Sequence, residues 1–311
     1  MTEHPELNRR LLLAGASCSA LALPLAKSRN LVAAETFQRS GGPKFRLSLA
    51  AYSLRKYFAF MKGKSQKPAD EKQAINMSDF IDYCAKLDID GAELTSYFFP
   101  PEIDDAYLLR LKRYAFLQGI TISGTAIGNN FTCGAGEQLD SEIQSAMNWI
   151  DRASVLGAPH IRFFAGTGKQ LDDHPERMQE AVEAMRRCAD HAASKGIFLG
   201  IENHGNLRRE QLLDLMKAVD HPWVGINLDT GNFFSEDPYS DLEACVSLAV
   251  NVQVKTTMRK PNRDTYKADL PRVVEILRKG NYRGSVVLEF EEEEPFDGIP
   301  QTISELKRLI G

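Results

Sequence analysis

Eight short apolar runs recur along the chain at similar intervals: FRLSLAAY, GAELT, ITISGTAI, HIRFFA, IFLGIEN, VGINLD, VQVKT and SVVLEF. Runs this short and nearly unbroken read as strands covered on both faces, as in a parallel sheet. Between them lie segments with helical spacing, among them MSDFIDYCAKL, AYLLRLKRYAFLQ, EIQSAMNWIDRASVL, ERMQEAVEAMRRCADHAASK and LPRVVEILRKG. Several end at a glycine, where a helix stop is expected. Strict strand–helix alternation repeated eight times predicts an α/β chain closed into a (β/α)8 TIM barrel. A doubly wound open sheet is the runner-up, but it usually carries a glycine-rich first turn, which is absent here. With 43% hydrophobic residues in 311, the chain can bury one barrel core, so a single domain over 45–311 is expected.

The segment ahead of the first strand belongs to no such pattern. Asn8, Arg9 and Arg10 lead into LLLAGASCSALALPLA, an apolar run that ends in small residues. It is short for a hydrocarbon core needing about 20 residues, and it has the form of a twin-arginine-type signal peptide over 1–26, cut after Ala22 or Ala26. An amino-terminal anchor helix, or a lipid on Cys18, is the alternative. Residues 27–44, with Gly41, Gly42 and Pro43, read as a polar tether. Such a leader predicts export of the folded protein to the periplasm, with no stable membrane insertion once the leader is removed. The balance of 38 basic and 42 acidic residues gives a net charge of -4, which offers no nucleic-acid-binding surface. The cysteines beyond the leader, Cys84, Cys133, Cys188 and Cys245, show no ligand spacing, and no disulfide is expected.

Chemistry is expected where the strands end, because α/β folds place their sites at the carboxyl ends of parallel strands. Glu202 ends the fifth strand, Asp229 the sixth and Glu289 the eighth, while Gln253 lies in the seventh. Four adjacent strands thus offer an oxygen ligand each, three of them anionic. Three desolvated like charges repel unless a cation or shared protons compensate. The set therefore predicts a divalent metal, with oxygen donors suiting Mn²⁺ or Mg²⁺ better than a tetrahedral zinc. Long connections after the first strand, RKYFAFMKGKSQKPADEKQAIN, and after the third, NNFTCGAGEQ, lie on the same face and read as lids or solvated insertions. In the first, Lys56 and Tyr57 stand closest to the strand.

IENHG, NLDTGN, VQVK and VVLEFE, in this order, resemble the xylose isomerase-like barrel superfamily, and within it the sugar phosphate isomerase/epimerase group that includes D-tagatose 3-epimerase. The resemblance implies one divalent metal, manganese first and Mg, Co or Zn as alternatives, held by Glu202, Asp229, Gln253 and Glu289. It implies that Glu202 and Glu289 are the acid/base pair and that His204 and Arg259 contact a carbohydrate substrate. A homodimer or homotetramer is implied as well. Two departures stand out: Gln253 replaces the group's histidine ligand, and Asn232 stands where the epimerases commonly have a histidine. The superfamily's endonuclease IV branch needs many histidines, and this chain has six.

The implied activity is isomerisation or epimerisation through an enediolate, by proton transfer next to a carbonyl. The same intermediate can expel a β-substituent, which would make the enzyme a 3-keto-glycoside lyase. A sugar-binding barrel without turnover is the alternative from outside enzymes. Glu93, in GAELTSYFFPP, is a further candidate for a sugar hydroxyl, or else caps the next segment. Lys255 faces the same side of its strand as Gln253 and can hold an oxyanion or pair with Glu289. Asn232 is placed with the substrate-contacting residues. Tyr97, Phe98 and Phe99 are wall or packing. EEEE after the last strand is an acidic turn, one member of which can be a further carboxylate at the site.

Overall fold

A computed structural model of the chain describes residues 37–311. The expected leader, 1–26, and residues 27–36 of the expected tether lie outside them. Eight strands follow in sequence: β1 (Lys44–Ala50), β2 (Gly91–Thr95), β3 (Thr121–Ala126), β4 (His160–Phe164), β5 (Phe198–Glu202), β6 (Val224–Asp229), β7 (Ala249–Val254) and β8 (Arg283–Leu288). All neighbouring pairs are parallel, and β1 pairs with both β2 and β8, which closes the barrel. The main helices between and after them are α1 (Met77–Lys86), α2 (Asp105–Leu117), α3 (Glu137–Leu156), α4 (Arg177–Lys195), α5 (Arg209–Val219), α6 (Pro238–Cys245), α7 (Leu270–Lys279) and α8 (Pro295–Ile310), with a further six-residue helix, Gly168–Asp173, ahead of α4. The expected (β/α)8 barrel is the observed one.

Local chemistry sets several of these boundaries. Asn76 accepts from the backbone of Ser78 and Asp79 while Asp79 reaches back to Asn76, a capping box that starts α1. Gly157 and Gly196 stop α3 and α4 in the left-handed conformation, with φ of 82° and 70°. Outward strand residues such as Leu49, Ile161, Phe163, Leu199, Ile226 and Val252 are fully buried beneath the helices. The inward positions differ, because many are polar: Glu93 on β2 meets Asn251 and Gln253 on β7, a contact that crosses the barrel interior.

The described part of the expected tether is packed rather than free. Arg39 donates to the carbonyls of Ser247 and Ala249 and lies over the rings of Phe37 and Tyr282, while Phe37 sets its edge on Phe198. An aromatic ring and a guanidinium with partners at the amino ends of β5, β7 and β8 hold residues 37–42 across the foot of the barrel. At the opposite end, the long segment after β1 folds into a hairpin of Phe60–Met61 with Lys64–Ser65. Its turn uses positive φ at Lys62 and Gly63, and Lys62 N donates to Tyr97 O at 2.8 Å. Among the described residues no helix is long and apolar enough to cross a membrane.

Candidate functional site

The carboxyl ends of the strands enclose a cavity of about 520 Å³. Its floor and walls include Arg162, Glu202, Lys255 and Glu289, with Asn232 and Glu291 beside them; Tyr52, Tyr97, Phe164, His204, Arg259 and the hairpin residues Met61 and Lys62 complete it. A second cavity of about 490 Å³ lies between the loops after β5 and β6 and contains none of the strand-end carboxylates.

Glu202 and Asp229 are positioned by a side chain between them. Asn203 donates to Asp229 O and accepts from Asp229 N, both at 2.8 Å, locking the end of β5 to the end of β6. Glu202 Oε2 lies 3.0 Å from Arg162 Nε, and its Oε1 accepts from Asn232 at 3.1 Å. Arg162 is 4% exposed and also donates to Ile127 O at 2.7 Å, with its guanidinium over the Phe164 ring. Burial raises the pKa of Glu202 above the usual carboxylate range, with Arg162 opposing.

Lys255 stands among three carboxyl groups. Its Nζ contacts Glu289 Oε1, lies 2.8 Å from Glu291 Oε2 and 3.5 Å from Asp229 Oδ2. Burial works against the ammonium, but the charges of Asp229, Glu289 and Glu291 outweigh it and hold its pKa well above the ordinary value. Asp229 is still shifted upward, because burial exceeds the help it receives from Lys255. Burial first, and then neighbouring carboxyl groups, push Glu93, Glu202 and Asp229 toward holding a proton, while Arg162 and Lys255 oppose this.

Beneath this layer runs a hydrogen-bonded chain of amides. Asn251 donates to Asn227 Oδ1 and Asn227 donates to Gln253 Oε1, both at 2.7 Å; Gln253 then donates to Glu289 Oε2 at 2.8 Å and to Glu93 Oε1 at 3.1 Å. In this arrangement Gln253 gives its nitrogen to both carboxyl groups and its oxygen to Asn227. Glu93 is fully buried, and burial, then the charge of Glu289, push its pKa up to about 8.

The expected site residues fall into two layers. Glu202, Glu289, His204, Arg259, Asn232 and Lys255 line the cavity. Asp229 and Gln253 lie just under it, fully buried. Glu93 does not reach it: the strand runs on to Thr95, so the residue faces inward one layer down and supports Gln253. The ring of His204 stacks on Phe164 with centroids 3.9 Å apart. Packing against the wall and the positive charges of Arg162 and Lys255 push its pKa down to about 4. Lys56 pairs with Glu293 and Tyr57 packs on Phe296, both away from the cavity, whose lid contacts are Met61 and Lys62 instead. Tyr97 forms wall, whereas Phe98 and Phe99 are core. Arg162 is the member that pattern alone passes over, although a charged residue inside HIRFFA, a strand buried on both faces, is itself a signal.

The expected metal centre is tested by the same geometry. Among the described residues no group of three or more His, Cys, Asp or Glu side chains is placed to hold a metal ion. Gln253 turns its amide nitrogen, not its oxygen, toward Glu289, and Lys255 occupies the space between Glu289, Glu291 and Asp229. The residues present, as arranged, do not fit a divalent ion.

Comparison with known proteins places this geometry. The family description "xylose isomerase-like TIM barrel" matches residues 81–309. A curated relative, 3-dehydroshikimate dehydratase of Bacillus anthracis, is 24% identical over 160 residues, which is 50% of this chain and 57% of that protein. The match thus spans little more than half of the relative's length. Among solved structures, D-psicose 3-epimerase with D-tagatose from Clostridium cellulolyticum H10 superposes with a TM-score of 0.67 at 17% identity, covering 85% of this chain and 99% of that one. A barrel protein from Mycobacterium smegmatis in complex with magnesium gives 0.66 at 15% identity, covering 85% and 96%. At these identities the two structures show a shared fold.

Proposed function

Since the chain belongs to the xylose isomerase-like TIM barrel family, we propose that it is an enzyme that moves a proton on a carbon next to a carbonyl in a small carbohydrate. The observation that carries this is the pairing of two cavity carboxyls with different buried cations, Glu202 with Arg162 and Glu289 with Lys255, which also meets Glu291. A sugar-binding module has no use for two such carboxyls, whereas proton transfer needs one group to take a proton and one to return it.

The parts then have these roles. Glu289 takes the proton, and Glu202, which burial keeps inclined to hold one, delivers its own. Lys255 and Arg162 supply fixed positive charge where the oxygen of the developing enolate gains negative charge. The stacked His204–Phe164 pair and the Tyr97 ring offer flat faces to a sugar, while Asn232 and Arg259 offer donors to its hydroxyls. The cavity, at about 520 Å³, is within the usual range for a small-molecule site. Delivery of a proton to the opposite face of the same carbon gives an epimer, and delivery to the adjacent carbon gives an isomer.

Elimination is the second reading, favoured by the relative named as a dehydratase. There the enolate expels a β-substituent instead of being reprotonated. The arginine pair and apolar run near the amino terminus support an exported enzyme, which would meet glycosides more often than sugar phosphates.

Solvent deuterium incorporation into ketoses and 3-keto-glycosides tests both readings. Exchange by the intact protein that is lost in Glu202→Gln and in Glu289→Gln is expected, and the product separates epimer, isomer and eliminated glycone. Exchange that survives either substitution would remove that residue from the mechanism, and no exchange with any compound would favour a binding protein.

A further inference from the structure

The family resemblance leads one to expect a metal ion, and the structure instead puts an amine in the corresponding place. We infer that the ammonium of Lys255 takes the place of the divalent ion, so that this barrel works with a protein-borne cation. Three observations carry this inference. The first is position: Lys255 Nζ is surrounded by Asp229, Glu289 and Glu291, carboxyls brought together from the ends of β6 and β8. A doubly charged ion could join them only by displacing a like charge whose side chain is 6% exposed.

The second is how the lysine is held. Its stem lies against Gly231, where a Cβ would stand 2.7 Å from Lys255 Cγ and 2.7 Å from Thr257 O. Its backbone N–H donates to Thr230 Oγ1 at 2.9 Å, so TG in NLDTGN both anchors the lysine and leaves room for it. The third is the state of the other expected ligands. Gln253 Oε1, the atom a metal would need, accepts from Asn227, and Glu202 is engaged by Arg162 and Asn232. Of the expected oxygen donors, Asp229 Oδ2 has no hydrogen bond among the described residues, and it lies 3.5 Å from Lys255 Nζ.

The catalytic part of the inference rests on the proposed proton transfer, with the ammonium meeting the substrate oxygen. The cation-binding part does not, and it is tested without turnover. After dialysis against chelator, the intact protein is titrated with Mn²⁺ and free Mn²⁺ is followed by electron paramagnetic resonance. The wild type is expected to leave Mn²⁺ free into the millimolar range, whereas Lys255→Ala combined with Gln253→His should bind it at least roughly tenfold more tightly. If that variant does not fold, Lys255→Met alone serves, with Mn²⁺ raising its melting temperature but not that of the wild type. Saturable uptake of one Mn²⁺ per chain by the wild type would overturn the inference, as would Mn²⁺ binding that weakens when Lys255 is removed. Failure of deuterium exchange would count against the proposed reaction and leave the Mn²⁺ result unaffected.

Discussion

Removing Arg162 should expose how the buried charges are balanced. In Arg162→Met the methionine fills much of the same space, but Glu202 loses its paired cation and Ile127 O loses a donor at 2.7 Å. Breaking a buried ion pair from one side typically costs about 3–5 kcal/mol, but Glu202 has an escape because it can keep its proton. Its pKa is already raised by burial and rises further once the guanidinium is gone. At pH 6, where Glu202 is protonated in both proteins, the cost should fall to the lost hydrogen bond, about 1 kcal/mol. As pH rises through the wild-type pKa, the wild type gains from ionising and the variant does not. The deficit then grows by up to about 1.4 kcal/mol per pH unit. Urea unfolding at pH 6 and pH 9 measures this, with Glu202→Gln and the double variant completing a cycle. The double variant at pH 9 should recover most of the loss. A deficit that does not change with pH, or single effects that simply add, would refute the pairing of these two groups.

Two further outcomes follow from single positions. His160 is buried inside the barrel, donates to Ser123 O and has its pKa pushed down to about 4, first by burial. The unfolded chain binds its proton from about pH 6.5 downward while the folded chain does not, so stability should fall by roughly 2 kcal/mol between pH 7.5 and 5. Denaturant titrations of His160→Gln should show that much less acid sensitivity; an unchanged pH profile would count against it. Gly231→Ala forces a Cβ against Lys255 Cγ and Thr257 O. It should cost about 1–3 kcal/mol and loosen the lysine, read as a lower urea midpoint, and an unaltered midpoint would show that the stem has room elsewhere.

The barrel was legible in the sequence because its causes are local. Eight unbroken apolar runs such as VGINLD leave no solvent face, and glycines such as Gly157 and Gly196 mark where helices stop, so period and punctuation suffice for the topology. The strand-end acids were legible for a related reason: a charge at the carboxyl end of a buried strand must face the mouth. What a side chain meets across the barrel is not written in any local pattern. Glu93 and Gln253 are 160 positions apart and touch only because β2 and β7 face each other, which made Glu93 a support instead of a cavity residue. Arg162 found its partner on the neighbouring β5. The direction of the Gln253 amide was set by which of its distant neighbours accept and which donate. Likewise, spacing alone left Lys255 open to an oxyanion or to Glu289; the tertiary structure placed its ammonium among three carboxyls, because only the closed barrel brings the ends of β6, β7 and β8 within reach of one side chain.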